Sequence, residues 1–126
     1  MIRTITNADL DIIIPWYREH DFPDVREALP TLGYVFTIDD QLYAACFVYE
    51  AFDNTACWIG WMVTNPANDP KQSYTYLKTL LKKVKDLMLA KGVKMIIAPA
   101  TGGRAGVLLS AGFKYGETTN LMIGAK

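Results

Sequence analysis

One histidine and two cysteines are all that this 126-residue sequence offers a soft metal ion, too few for a metal site. Cys46 and Cys57 do not make a disulfide framework either. Both lie in apolar, strand-like runs and read as buried free thiols of a reducing compartment, so a cytoplasmic protein is expected. No apolar run approaches the roughly 18 residues that a membrane span needs. Met1-Ile2-Arg3-Thr4-Ile5-Thr6 lacks the apolar stretch and small-residue cleavage site of a secretory leader. Repeats, low-complexity tracts and interdomain linkers are missing as well.

What is present suits one packed unit. Hydrophobic residues make up 51% of the chain, enough to fill a single core over residues 1–126. The formal net charge of zero hides an asymmetry. Residues 1–70 carry eleven acids against three bases, net −8, and residues 71–126 carry ten bases against two acids, net +8. Such a split fits two partners of opposite charge, or halves that complement each other within the fold or across a homodimer.

Periodicity orders the elements. Ile2–Thr6 is a strand candidate, and Thr6 followed by Asp9 has the pattern of a helix N-cap. Leu10, Ile13, Ile14 and Tyr17 share a face of a helix over 7–20, which Pro15 should kink or split. Residues 24–29, between Pro23 and Pro30, allow a second short helix. Leu32–Ile38 and Leu42–Phe52 flank the polar break Asp39-Asp40-Gln41 as a hairpin, and Ala56–Thr64 adds a third antiparallel strand. Tyr74, Leu77, Leu81, Val84 and Met88 then recur at helical spacing up to Gly92. Val93–Ala98 is short and apolar enough for a buried strand, reached by a parallel crossover. A short helix over Ala105–Ala111 stops at Gly112, and Thr118–Ile123 can form a last strand. The predicted class is α/β (α+β), a mixed sheet with an antiparallel meander followed by a βαβ crossover.

That order resembles the GNAT superfamily of acyl-CoA-dependent N-acyltransferases along the whole chain, and in size and style it is similar to GNAT-fold proteins of bacteriophage genomes. Four segments carry the resemblance: Met1–Leu10 as the opening strand and capped helix, Val35–Val48 as the hairpin, Trp61–Pro66 as a strand ending in a bulge and a proline, and Val107–Phe113 as a short helix closing in Gly-Phe. The resemblance implies a three-layer fold whose neighbouring parallel strands splay to admit acetyl-CoA. Met62, Val63 and Thr64 would then offer backbone groups to its pantetheine arm. Lys71, Gln72, Ser73 and Tyr74 would surround its phosphates at a helix N-terminus, where free amides and the dipole favour an anion.

Two stretches depart from the family's pattern. The phosphate loop is usually rich in arginine and glycine, whereas Asn68-Asp69-Pro70-Lys71-Gln72-Ser73 has no glycine. Asp69 before Pro70, with Gln72 beyond, reads as a self-capped helix start whose carboxylate would occupy the anion position. A helix that begins near Ser73 instead would keep amides for phosphate. The tyrosine that many members place four residues before the glycine is Leu108 here, and the frequent asparagine seven residues earlier is Thr101.

Glu50, in an otherwise apolar strand facing the cleft region, is the candidate general base, beside the reading of a solvent-facing residue near the strand end. Tyr115 could replace the missing acid or simply pack on the surface. His20 reads as a solvated helix end. Trp58 and Trp61 are three apart, so a regular strand points them to opposite faces, one into the core. Lys78, Lys82 and Lys85 read as a solvated helix face, with no nucleic acid implied. Arg104, beside Gly102-Gly103, is the best anion-binding candidate outside the long helix. Two function classes follow. One is an N-acyltransferase that passes the acetyl group of acetyl-CoA to a primary amine, drawing a cationic acceptor to its acidic half. The other is a GNAT-fold binding module that works by contact with a protein partner.

Overall fold

The computed structural model describes residues 1–22, 26–100 and 103–116. The strand expected over Thr118–Ile123 lies outside these residues, as do Thr101, Gly102 and part of the expected 24–29 helix. Of that helix, Arg26–Ala28 forms a single 3-10 turn.

Five strands make one sheet in chain order: β1 (Ile2–Thr4), β2 (Gly33–Ile38), β3 (Gln41–Glu50), β4 (Ala56–Thr64) and β5 (Met95–Ile97). The first four pair antiparallel, and β5 returns parallel to β4. The predicted class and the meander-then-crossover topology are therefore present. Asp39 and Asp40, both at positive φ (50° and 66°), close the β2–β3 hairpin as a two-residue loop whose hand matches the strand twist.

Helices cover both faces and make three layers. On one face, α2 (Pro70–Ala90) and α3 (Gly103–Ser110) bury Leu77, Leu80, Leu81, Val84, Val107 and Leu108 against Ala44, Cys46, Ile59 and Met62. On the other, α1 (Asn7–Glu19) packs Ile13, Ile14, Trp16 and Tyr17 on Val35, Ala45 and Val63. Alternation along β2 feeds the two cores in turn, Tyr34 and Phe36 toward α2 and Val35 toward α1, as a period of two requires. Leu108, at the family's tyrosine position, is part of the α2-side core.

The helix ends follow their local chemistry. Gly92 and Gly112 terminate α2 and α3 at φ +95° and +96°, and the amides of Val93 and Phe113 reach back to the Met88 and Leu108 carbonyls. Of the kink or split expected at Pro15, the split does not occur: α1 is continuous through it. The proline lies on the exposed face, where water can meet the carbonyl left without its donor. Thr6 caps α1 in a reciprocal box with Asp9: each side chain accepts from the other residue's backbone N–H. No helix among the described residues is long and apolar enough to cross a membrane.

Asp9 also ties α1 to β1. Its buried carboxylate accepts two hydrogen bonds from Arg3, at 2.6 and 2.9 Å. Arg3 and the two Thr6 hydrogen bonds overcome the burial cost and lower the Asp9 carboxyl to about 2. A depressed folded pKa contributes stability that is complete above the unfolded value near 4 and is lost as pH falls toward 2. Asp9→Ala should therefore cost about 2 kcal/mol at pH 7. Urea unfolding at stepwise lower pH should show the gap between variant and wild type closing between about pH 4 and pH 2.

Candidate functional site

The pairing of β4 with β5 is brief: Ala56, Cys57 and Trp58 face Met95, Ile96 and Ile97. β5 ends at Ile97, so from Ile59 to Thr64 β4 runs on without a β5 partner among the described residues, which leaves a gap in the pairing. On its other side β4 carries a bulge. Ala45 pairs with Val63 and Phe47 with Gly60, leaving Cys46 opposite both Trp61 and Met62. Trp61 takes φ +52°, a left-handed conformation that is strained for so bulky a residue.

The bulge is held by side chains from three elements. The Tyr17 hydroxyl of α1 donates to the Trp61 carbonyl, and the two rings meet edge to face at 6.1 Å. Trp61 Nε1 donates to the Tyr49 hydroxyl at 2.8 Å, which in turn donates to the Ala28 carbonyl at 2.8 Å. Arg104 of α3 donates from Nη1 to the Met62 carbonyl, in the stretch of β4 that has no β5 partner among the described residues.

The extra residue changes the faces of β4. Trp58, Gly60 and Trp61 all line one recess, so Trp58 and Trp61 share a face instead of opposing each other. Trp61 is partly buried against the α1-side core and Trp58 is exposed, while Met62 points into the α2 side. The expectation from a regular strand failed because the bulge inserts a residue between them.

Two recesses meet at Arg104. The first, about 510 Å³, lies beside the start of α2 and is lined by Thr64, Pro70, Ser73, Tyr74, Leu77 and Val107. The second, about 690 Å³, opens on the α1 face among Tyr17, Phe22, Tyr49, Trp58, Trp61 and Pro99. Arg104 borders both. Neither recess has a carboxylate or a histidine among these lining residues.

The start of α2 is self-capped. Asp69 Oδ1 accepts from the Gln72 N–H at 2.8 Å, and Gln72 Oε1 accepts from the Asp69 N–H at 3.0 Å. Pro70 has no N–H, and the Ser73 amide bonds to the Asp69 carbonyl. The Lys71 amide is left as the one first-turn donor without a partner among the described residues.

Sequence-predicted residues divide accordingly. Ser73, Tyr74 and Thr64 face the first recess and Met62 borders the second, while the exposed Lys71 stands at the helix start. Val63 is buried under α1, and Gln72 is committed to the cap. Glu50 lines neither recess; it is ion-paired with Lys91 at 2.9 Å, near the C-terminal end of α2. His20 donates from Nε2 to the Thr64 carbonyl at 3.1 Å, and Tyr115 is 78% exposed. Lys85 lies over the Phe113 ring at 6.0 Å. Tyr17 and Tyr49 were not anticipated as parts of the site. Tyr17 carried only a helix-periodicity signal, and its role depends on a bulge that one sequence does not display.

One mixed sheet, its antiparallel strands followed by a parallel β4–β5 pair, with helices on both faces, is a GNAT-like fold. The chain superposes on a ribosomal-protein-alanine N-acetyltransferase from Brucella melitensis with a TM-score of 0.72, covering 100% of this chain and 99% of that one at 13% identity. An aminoglycoside acetyltransferase from an uncultured soil metagenomic sample, in complex with sisomicin, matches at TM-score 0.70, 100% and 96% coverage and 13% identity. The N-acetylglutamate synthase of Neisseria gonorrhoeae, complexed with coenzyme A and N-acetyl-glutamate, matches at TM-score 0.73 and 18% identity, over 93% of this chain and 28% of that one. No protein-family model and no curated protein sequence matches the chain.

The strained Trp61 backbone makes Tyr17 a structural anchor of the site. Tyr17→Phe leaves the buried Trp61 carbonyl without its donor at unchanged volume. The variant should lose about 1–2 kcal/mol of stability in urea unfolding, with a changed near-ultraviolet dichroism from Trp61.

Proposed function

We propose that the chain is an acyl-CoA-dependent N-acyltransferase that moves an acetyl group from acetyl-CoA to a primary amine of a small molecule or a protein. The observation that carries this reading is the end of β4–β5 pairing at Trp58, beside which a recess at the start of α2 and an aromatic recess both reach Arg104.

The residues present suit the pantetheine arm better than the phosphates. Leu77, Val107 and Pro70 form apolar walls along the first recess, with Thr64 and Ser73 as polar groups. The Met62 and Thr64 carbonyls are already bonded to Arg104 and His20. At the start of α2, the Asp69 carboxylate opposes an anion and ties up the Gln72 amide. The Lys71 side chain and amide, Ser73 and Tyr74 are what remain for a diphosphate there. Acetyl-CoA, when bound, supplies an activated thioester carbonyl: the amine nitrogen forms the new C–N bond, the C–S bond breaks, and the amine's proton is lost as the thiolate departs.

The chain's own contribution in this reading is position and exclusion of water. Burial raises the Tyr17 phenol far above its ordinary range, so it stays protonated and is a donor, not a base. Glu50, held by Lys91 outside both recesses, is not assigned the base. The amine then reacts from its neutral form and passes its proton to water. Burial also pushes the Cys46 thiol up to about 12 and raises Cys57, so neither thiol carries the acyl group and transfer is direct.

The Asp69 cap and the Arg104–Met62 bond favour a second reading, a binding module that keeps the fold and acts through a protein partner. Calorimetric titration with acetyl-CoA, on wild type and on Asp69→Arg, separates the two. The acyltransferase reading expects saturable binding by wild type, tightened several-fold in the variant. Binding gained only in the variant would point to the module, and binding by neither would end the acetyl-CoA reading.

A further inference from the structure

Arg104 forms no ion pair among the described residues. Its half-buried side chain reaches the unpaired stretch of β4 at Met62, and burial lowers its pKa with no carboxylate among the causes. The ion pairs among the described residues, Arg3–Asp9, Arg26–Asp11 and Lys91–Glu50, lie elsewhere. A guanidinium has five N–H donors, and the Met62 carbonyl engages Nη1 alone. The planar fork that remains matches a carboxylate in bidentate fashion. A partly desolvated cation is costly unless a ligand brings the opposing charge.

The surroundings narrow that ligand. Arg104 lines the aromatic recess together with Tyr17. There Phe22, Tyr49 and Trp58 stay 39%, 41% and 39% exposed although they line a concavity, so apolar surface is available to a guest. No acidic residue appears among the lining residues. A polycationic amine would meet only the like charge of Arg104. This sets the recess against the cationic acceptor that the acidic N-terminal half suggested.

We propose that the aromatic recess binds an α-amino acid with an aromatic or large apolar side chain, its carboxylate held by Arg104 and its side chain against Trp58, Trp61 and Phe22. In such a molecule the amine is on the carbon next to the carboxylate, so the Arg104 anchor sets the amine at the gap between β4 and β5. The same cation disfavours the ammonium form of a neighbouring amine, which helps a site whose lining offers no base. The amine's fate as acyl acceptor rests on the acyltransferase reading; the binding itself does not.

The test is therefore run on the full chain without acetyl-CoA. Calorimetry or ligand-observed NMR would compare L-phenylalanine and L-tryptophan with phenethylamine and tryptamine, which lack only the carboxylate. Wild type should prefer the acids by about ten-fold or more, the worth of one charge-assisted contact. The acid 3-phenylpropionate, which has no amine, should bind comparably. Arg104→Gln, with its fold checked by circular dichroism, should lose the preference, and Arg104→Lys should keep part of it. Equal or tighter binding of the amines by wild type overturns the proposal, as does failure of every probe to bind at millimolar concentration. A folded Arg104→Gln that keeps the preference does so too. If wild type shows no preference and Arg104→Gln loses acetyl-CoA binding, the arginine serves the phosphates and the proposal falls. Acetyl-CoA affinity is read separately, so failure of the acyltransferase reading leaves this comparison intact.

Discussion

The candidate site depends on one bulge. Placing Trp61 and Met62 opposite Cys46 forces Trp61 to a left-handed φ, at a strain of order 1–3 kcal/mol. Contacts from α1, β3 and α3 hold the backbone there: Tyr17 on the Trp61 carbonyl, Tyr49 on its indole and Arg104 on the Met62 carbonyl. The bulge gathers Trp58 and Trp61 on one face and returns Met62 to the α2-side core. The α1-side recess has its aromatic wall because of that exchange.

A second constraint acts at the head of α2. A helix N-terminus beside an open strand gap is a ready anion site. In this chain Asp69, Pro70 and Gln72 satisfy most of it internally. The helix is stabilised without a ligand, and the first recess is correspondingly less suited to a diphosphate. Positive charge is supplied instead by Lys71 at the helix start and by Arg104 at the gap. The fold is GNAT-like, and the polar groups at the start of α2 are largely bonded to one another. That combination motivates both the acyltransferase reading and the search for a ligand carboxylate at Arg104.

Much of the architecture was legible in the residues. The Thr6/Asp9 and Asp69/Gln72 capping boxes, the two terminating glycines and the Ala56–Thr64 strand depend on local chemistry and are found where the pattern put them. Pro15 does not end α1 because a proline's effect depends on which helix face it occupies, and here it is on the solvent face. Trp58 and Trp61 misled because strand alternation assumes regular pairing. Glu50 looked placed for chemistry by its position in an apolar strand, but its neighbour at 2.9 Å is Lys91, forty-one residues away in the chain.

The sequence by itself determined the order of elements, their ends, the self-capped start of α2 and the scarcity of metal-binding and disulfide-forming residues. Each of these follows from residues within a turn or two of one another, or from composition alone. Only the tertiary structure decided where the pairing of β4 and β5 stops, which way Trp61 faces, and that Arg104 reaches the Met62 carbonyl and forms no ion pair among the described residues. Those outcomes arise from groups distant in sequence competing for the same space and the same hydrogen bonds, and no local pattern records which of them wins.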